Sequence, residues 1–146
     1  MLYKFPTRRR AKPKLEKSNF VEKVPEAEDV IGMIQGQTPD SLQEWWVARG
    51  LNRLGLSYTY QYPIHGGRAR GGYLIDFVVN TVPLVTMVEP IGNHWHTGEL
   101  GADDRKRQAD VEDAMKDIAR TPILLLWIPD LLDAETVFQK LRSELT

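Results

Sequence analysis

Three short apolar runs, rich in β-branched and aromatic residues, follow one another closely between residues 57 and 89, and they constrain the fold of this chain most strongly. Their composition and length predict strands over 57–64, 73–79 and 84–89. Four glycines and two arginines lie in the turn over 65–72, which joins the first two strands. The second and third strands are close enough in sequence to form a hairpin.

The rest of the ordered chain alternates helical and strand patterns around these three strands. A first helix is predicted to begin near Thr38 or Ser41 and to end at Gly55, because both ends carry ordinary capping residues. The remaining elements are a helix over 102–119, a strand over 122–128 that stops before Pro129, and a last helix capped by Asp133. The order α-β-β-β-α-β-α predicts an α/β fold in which helices flank a mixed sheet.

Two carboxylates belong to the apolar strands. Asp76 lies inside the run Leu74-Ile75-Asp76-Phe77, and Glu89 ends the next run. A buried carboxylate is costly unless it is paired, hydrogen-bonded or bound to a metal. Two of them on neighbouring strands would suit Mg²⁺, which prefers oxygen ligands. The alternatives are an Asp76 that is paired with an arginine and a Glu89 that is simply solvated.

Size and composition exclude several classes of protein. A chain of 146 residues with 42% hydrophobic residues is long enough for one domain with its own core. It has no cysteine, which excludes disulfides and thiolate metal sites. No apolar run approaches the roughly 18 residues that span a bilayer, and the first residues do not resemble a secretory signal. We therefore expect an intracellular protein without membrane contact.

The first 37 residues, here called the arm, differ in composition from the rest. Residues 1–23 hold eight Lys or Arg against Glu16 and Glu22, and the basic residues include the run Arg8-Arg9-Arg10. An arm of this kind, with three prolines and little periodicity, is predicted to be extended, with the folded domain over 38–146. A basic arm is typical of proteins that contact nucleic acid, but the same pattern also fits a solvated tail.

The ordered set of elements and acids resembles the PD-(D/E)XK nuclease superfamily, and within it the Vsr-like (very-short-patch-repair-like) endonucleases. The resemblance covers roughly residues 38–146. The stretches that carry it are Glu44-Trp45-Trp46, Tyr73-Leu74-Ile75-Asp76-Phe77, Val88-Glu89-Pro90-Ile91-Gly92-Asn93-His94-Trp95-His96 and Asp103-Asp104-Arg105-Lys106-Arg107.

This resemblance implies a DNA endonuclease that depends on Mg²⁺ or Mn²⁺ and uses no small-molecule cofactor. It makes Asp76, Glu89 and the backbone carbonyl of Pro90 metal ligands, with Glu44 and His96 as further catalytic groups. The chain departs from the family where the superfamily's lysine belongs, because Ile91 offers neither charge nor a ligand atom. Around the site, Arg68, Arg70 and Trp95 are expected to contact DNA, as are the arginines of the arm, while Asp104 and His94 would support His96.

Each of these residues also has a purely structural interpretation. Glu44 completes a capping box with Ser41, and Asp104 caps the second helix. His96 is then a polar surface residue, Trp95 packs in its loop, and Arg68 and Arg70 belong to a solvated turn.

Two other functions are compatible with the same fold. The first is a structural component of a larger assembly, such as a phage virion or another nucleoprotein particle, held through residues 1–37. The second is a nucleic-acid-binding accessory protein without catalytic activity. Ile91, which stands in place of a polar catalytic group, and the long basic arm both favour the structural role.

Overall fold

The computed structural model of this protein describes residues 31–69, 71–92 and 102–146. The chain separates into two units, Met1–Ile31 and Gly32–Thr146, and the elements described here belong to the second. These elements are α1 (Leu42–Leu54), β1 (Tyr58–Ile64), β2 (Tyr73–Val79), β3 (Val85–Gly92), α2 (Ala102–Ala114), β4 (Ala119–Trp127), a 3-10 turn (Ile128–Asp130) and α3 (Ala134–Leu145). The predicted α/β class and element order are confirmed. No helix in this part of the chain is both long and apolar enough to cross a bilayer.

The four described strands form one mixed sheet in the order β1-β2-β3-β4. The pairs β1–β2 and β2–β3 are antiparallel, whereas β3 and β4 are parallel. Parallel neighbours require a crossover connection, and α2 lies between β3 and β4 in the chain.

The ends of α1 form as the capping residues predict. The Ser41 hydroxyl accepts a hydrogen bond from the backbone N–H of Glu44, at 3.2 Å. Gly55 ends the helix with a φ of 72°, a left-handed conformation that glycine adopts without steric penalty. Trp46, Val47 and Leu51 of α1 are buried in the first hydrophobic core of the protein.

The sheet separates two hydrophobic cores. Val78 and Met87 belong to the second core, whereas their neighbours Val79 and Val88 belong to the first. Because successive side chains of a strand point to opposite faces, the two cores lie on opposite faces of the sheet. The first core joins α1 and α3 to the sheet, and the second core joins α2 to it through Val111.

The second helix is shorter than its apolar periodicity predicts. It ends at Ala114 rather than at residue 119, and Ile118, which the pattern places on the buried stripe, is 50% exposed. The carbonyl of Ile118 instead accepts a hydrogen bond from the N–H of Val85. Pairing with β3 therefore ends the helix early, and β4 begins at Ala119 rather than at residue 122.

Part of the predicted arm belongs to the folded unit. Ile34 is buried in the first core, and its backbone forms a bridge with that of Gln37. The side-chain amide of Gln35 donates to the carbonyl of Tyr58, at 2.6 Å, and accepts from the N–H of Tyr60, at 2.8 Å. Gln35 thus pairs with backbone groups at the edge of β1, as a further strand would. The folded unit therefore includes residues 32–37.

Candidate active site

Asp76 lies at an irregularity that β1 and β2 share. The paired residues Tyr60 and Phe77 belong to the first core, whereas Ile75 belongs to the second core and its partner Tyr62 packs against it. Residues two apart normally share one face of a strand, so both strands change face between these pairs. The intervening residue of β1, Gln61, has a φ of 58°, which is rare for a residue other than glycine.

This change of face brings Asp76 within range of charged groups on three other elements. Burial raises the pKa of Asp76 to about 8, and the charges of Glu89 on β3 and Glu44 on α1 contribute to the rise. Arg107 on α2 acts in the opposite direction. Among the described residues, none donates a hydrogen bond to the Asp76 carboxylate. Asp76 is therefore a half-buried acid whose ionised form is poorly compensated.

Glu89 lies inside β3, not at its end, and it is only 6% exposed. It directly follows Val88, the partner of Phe77 on β2, while Asp76 directly precedes Phe77. Asp76 and Glu89 therefore occupy adjoining positions opposite each other on the neighbouring strands β2 and β3, as the hairpin predicts. The alternative of a solvated Glu89 is wrong.

Arg107 holds Glu89 with both halves of its guanidinium. Nη1 donates to Oε1 at 3.2 Å and Nη2 to Oε2 at 3.3 Å, and Nη2 also donates to the carbonyl of Leu74 at 2.8 Å. Burial opposes the charge of Arg107, but Glu89, Asp76 and Asp104 raise its pKa overall. An arginine does partner a buried acid here, as one alternative expects, but the acid is Glu89 and not Asp76.

Glu44 is buried in a small polar cluster on the other side of Asp76. Its carboxylate accepts a short hydrogen bond from the hydroxyl of Tyr60 and another from the N–H of Asp40, at 3.3 Å. Burial raises the pKa of Glu44, although the Tyr60 hydrogen bond lowers it. The capping box is therefore only half formed as predicted, because the glutamate reaches Asp40 instead of Ser41.

The other predicted site residues differ in how near they lie to these acids. Asp104, near the start of α2, is close enough to Arg107 for its charge to raise the pKa of that arginine. Pro90 pairs with Leu126 of β4, and Arg68 is exposed on the turn after β1. The remaining candidates fall outside the described residues: Arg8, Arg9, Arg10, Arg70, His94, Trp95 and His96.

Ile91 coincides with a bulge in β3. Pro90 pairs with Leu126 and Gly92 with Trp127, so β3 has one residue more than β4 between these pairs. Bulges of this kind redirect a strand and are frequent beside active sites. A cation reaches a site acid from α2 instead, as Arg107 paired with Glu89.

A second polar group adjoins Arg107 on the side of the turn over 65–72. Tyr73 donates a hydrogen bond to Asp110, at 3.1 Å, and its ring lies 5.4 Å from the Arg107 guanidinium carbon. Lys106 forms an ion pair with the same Asp110, at 3.3 Å. The ring of His65 packs edge-on against Tyr73, at 6.5 Å between centroids. Side chains of α2 thus connect the acids to the glycine-rich turn.

The acids fit a magnesium ion only as a site with few protein ligands. The described residues contain no group of three or more histidines and acids that would hold a metal ion. Mg²⁺ does not need such a group, because it retains water and is commonly bound by one or two carboxylates together with substrate phosphate. Asp76 and Glu89 have the appropriate oxygen atoms, and no described residue donates a hydrogen bond to the Asp76 carboxylate.

Tyr60, Arg107 and Asp40 are site residues that the sequence analysis missed. Arg107 belongs to the run Arg105-Lys106-Arg107, in which nothing distinguishes the residue that faces the acids. Comparison with protein families, with curated proteins and with solved structures found no match to this chain.

Proposed function

We propose that this chain is a metal-dependent DNA endonuclease of the PD-(D/E)XK type, with its site around Asp76 and Glu89. The observation that carries this proposal is the half-buried Asp76, whose pKa is raised to about 8 and which comes next to Glu89 in register. A carboxyl group whose ionised form is poorly compensated is stabilised in that form when a cation binds beside it. Structural acids are usually paired within the protein instead.

In this proposal Asp76 and Glu89 hold Mg²⁺ or Mn²⁺, with the carbonyl of Pro90 as a further oxygen ligand. The bound ion would polarise the scissile phosphate and lower the pKa of the attacking water. Glu44 keeps the charge around Asp76 negative, which favours a cation there. Arg68 and the basic residues of the arm supply contacts to DNA phosphates that do not depend on base sequence. His96 is the candidate for proton transfer near neutral pH.

The proposal is tested by cleavage of supercoiled and branched DNA with Mg²⁺ or Mn²⁺, using the full chain and its Asp76→Asn variant. The expected result is cleavage that requires the metal and is lost in the variant. Asp117→Asn, an exposed acid in the turn after α2, is the matched control and should cleave normally. Absence of cleavage by folded wild-type protein would contradict the proposal.

A catalytically inactive role is the second candidate. It is favoured by Ile91, which lacks the charge of the lysine it replaces, and by the hydrogen bonds that occupy both oxygens of Glu89. The protein would then bind nucleic acid or act as a structural component of a larger assembly. Salt-sensitive DNA binding without cleavage would select the first of these roles. Absence of DNA binding would select the second.

A further inference from the structure

The ion pair between Arg107 and Glu89 is placed so that Arg107 can leave and another cation can take its position. The Glu89 side chain is 8% exposed, but the Arg107 side chain is 31% exposed. Both ends of the guanidinium are used on the protein side, by Glu89 and by the Leu74 carbonyl. The arginine therefore reaches the acid from the solvent side and is not enclosed with it.

A buried glutamate needs a positive partner whether or not a metal is present. A lone charge in a low-dielectric environment is strongly unfavourable, and the Glu44 carboxylate adds negative charge nearby. Arg107 supplies this partner, but it also uses the oxygens that a divalent cation would bind. Each hydrogen bond from Arg107 leaves the metal one lone pair fewer on Glu89, and two cations beside one carboxylate repel each other.

The guanidinium that leaves Glu89 has a second acceptor available during catalysis. Its planar fork matches a phosphate group as well as a carboxylate, with two parallel N–H···O hydrogen bonds in either case. A phosphodiester held at a metal on Asp76 and Glu89 would lie next to the arginine that the metal has displaced.

We propose that Arg107 occupies the cation position of this site in the metal-free protein, and that it moves from Glu89 to the substrate phosphate when the metal binds. The inference rests on the proposed function, and it assigns to Arg107 both a regulatory role and the positive charge that Ile91 does not provide. The metal and Arg107 then compete for Glu89. A positive charge therefore lies beside the acids both in the metal-free and in the metal-bound protein.

The test measures Mg²⁺ binding calorimetrically in the full chain and in Arg107→Gln. Loss of the competing guanidinium should tighten Mg²⁺ binding by about tenfold, a typical size for coupling between two sites. Lys106→Gln is the matched control, because it removes the same charge from the adjacent, exposed position of α2. The control should change the affinity by less than about twofold, since exposed charges are well screened. DNA cleavage by Arg107→Gln should nevertheless fall.

A second measurement follows Arg107 itself. The Nε–H resonance of its side chain in the wild-type protein should shift and broaden as Mg²⁺ is added without DNA. An unchanged resonance at saturating Mg²⁺ would overturn the inference, as would equal Mg²⁺ affinities of wild type and Arg107→Gln. An equal gain in Lys106→Gln would overturn it too, because the effect would then be general electrostatics. If folded wild type and Arg107→Gln both fail to bind Mg²⁺, the proposed function itself fails.

Discussion

The Tyr60 hydroxyl on β1 donates a hydrogen bond to the Glu44 carboxylate on α1, and both side chains are buried. This contact joins the first helix to the sheet immediately beside Asp76. Burial, followed by the Glu44 carboxylate, raises the pKa of Tyr60, so the hydroxyl stays protonated and remains a donor. A tyrosine at this position therefore holds the acid of α1 in place.

Tyr60→Phe should destabilise the protein, because Glu44 would keep its buried charge and lose its side-chain donor. We expect the free energy of unfolding to fall by about 1.5–3 kcal/mol, the usual value for a hydrogen bond to a charged group. Urea denaturation at neutral pH measures the change. Tyr62→Phe is the control, because the Tyr62 hydroxyl makes no hydrogen bond with the described residues, and its effect should be small. Equal losses in the two variants would argue against the Glu44 contact.

Asp76 should make the stability of the protein fall as pH rises. Its pKa is raised to about 8 in the folded state and is about 3.9 in an unfolded chain. Between these values the folded state binds more protons, so the free energy of unfolding declines with increasing pH and the loss is complete above the folded-state pKa.

Asp76→Asn removes this pH dependence, because asparagine resembles the protonated acid. We expect wild type and variant to unfold similarly below about pH 4, where Asp76 is protonated in both the folded and the unfolded state, and the variant to be the more stable protein at about pH 8. Denaturation curves across this range provide the measurement, with Asp117→Asn as an exposed control. If the difference between wild type and Asp76→Asn does not change with pH, Asp76 is not the group that titrates.

The arrangement of Asp76 and Glu89 followed from sequence because it depends on local pattern. Each is a single carboxylate in a short apolar strand, and the hairpin between the strands determines which residues face one another. Glu44 is a candidate only through the family resemblance, because the local pattern around it predicts a capping box with Ser41 instead. The class of fold follows from the order of helical and strand periods.

The remaining features of the site depend on contacts that no local pattern contains. Gln61 adopts a positive φ without glycine or asparagine to signal it. Ile118 leaves the predicted helix because β3 pairs with its backbone. Arg107 is selected from three consecutive basic residues by the orientation of α2 relative to the sheet. In each case tertiary contacts decide between local alternatives that are nearly equal in free energy.

Gln35 gives a test of the edge of β1. Replacing it with alanine removes two hydrogen bonds to the backbone of Tyr58 and Tyr60. We expect Gln35→Ala to lower the free energy of unfolding by about 1 kcal/mol or somewhat more and to increase aggregation, since an uncovered edge strand pairs readily with other chains. Gln37→Ala, at a nearby exposed glutamine, should leave both properties unchanged. Denaturation and light scattering distinguish the two variants.

Gln61 gives the last prediction, because its backbone has a φ of 58° between two regular strand pairs. A side chain in the left-handed region costs roughly 1 kcal/mol that glycine does not incur. Gln61→Gly should therefore stabilise the protein by up to about 1 kcal/mol, whereas Thr59→Gly, in the same strand, should destabilise it by about 0.5–1 kcal/mol. Thermal and urea denaturation measure both variants. Destabilisation of equal size in both would mean that Gln61 is held without strain, and the change of face at Asp76 would then need another explanation.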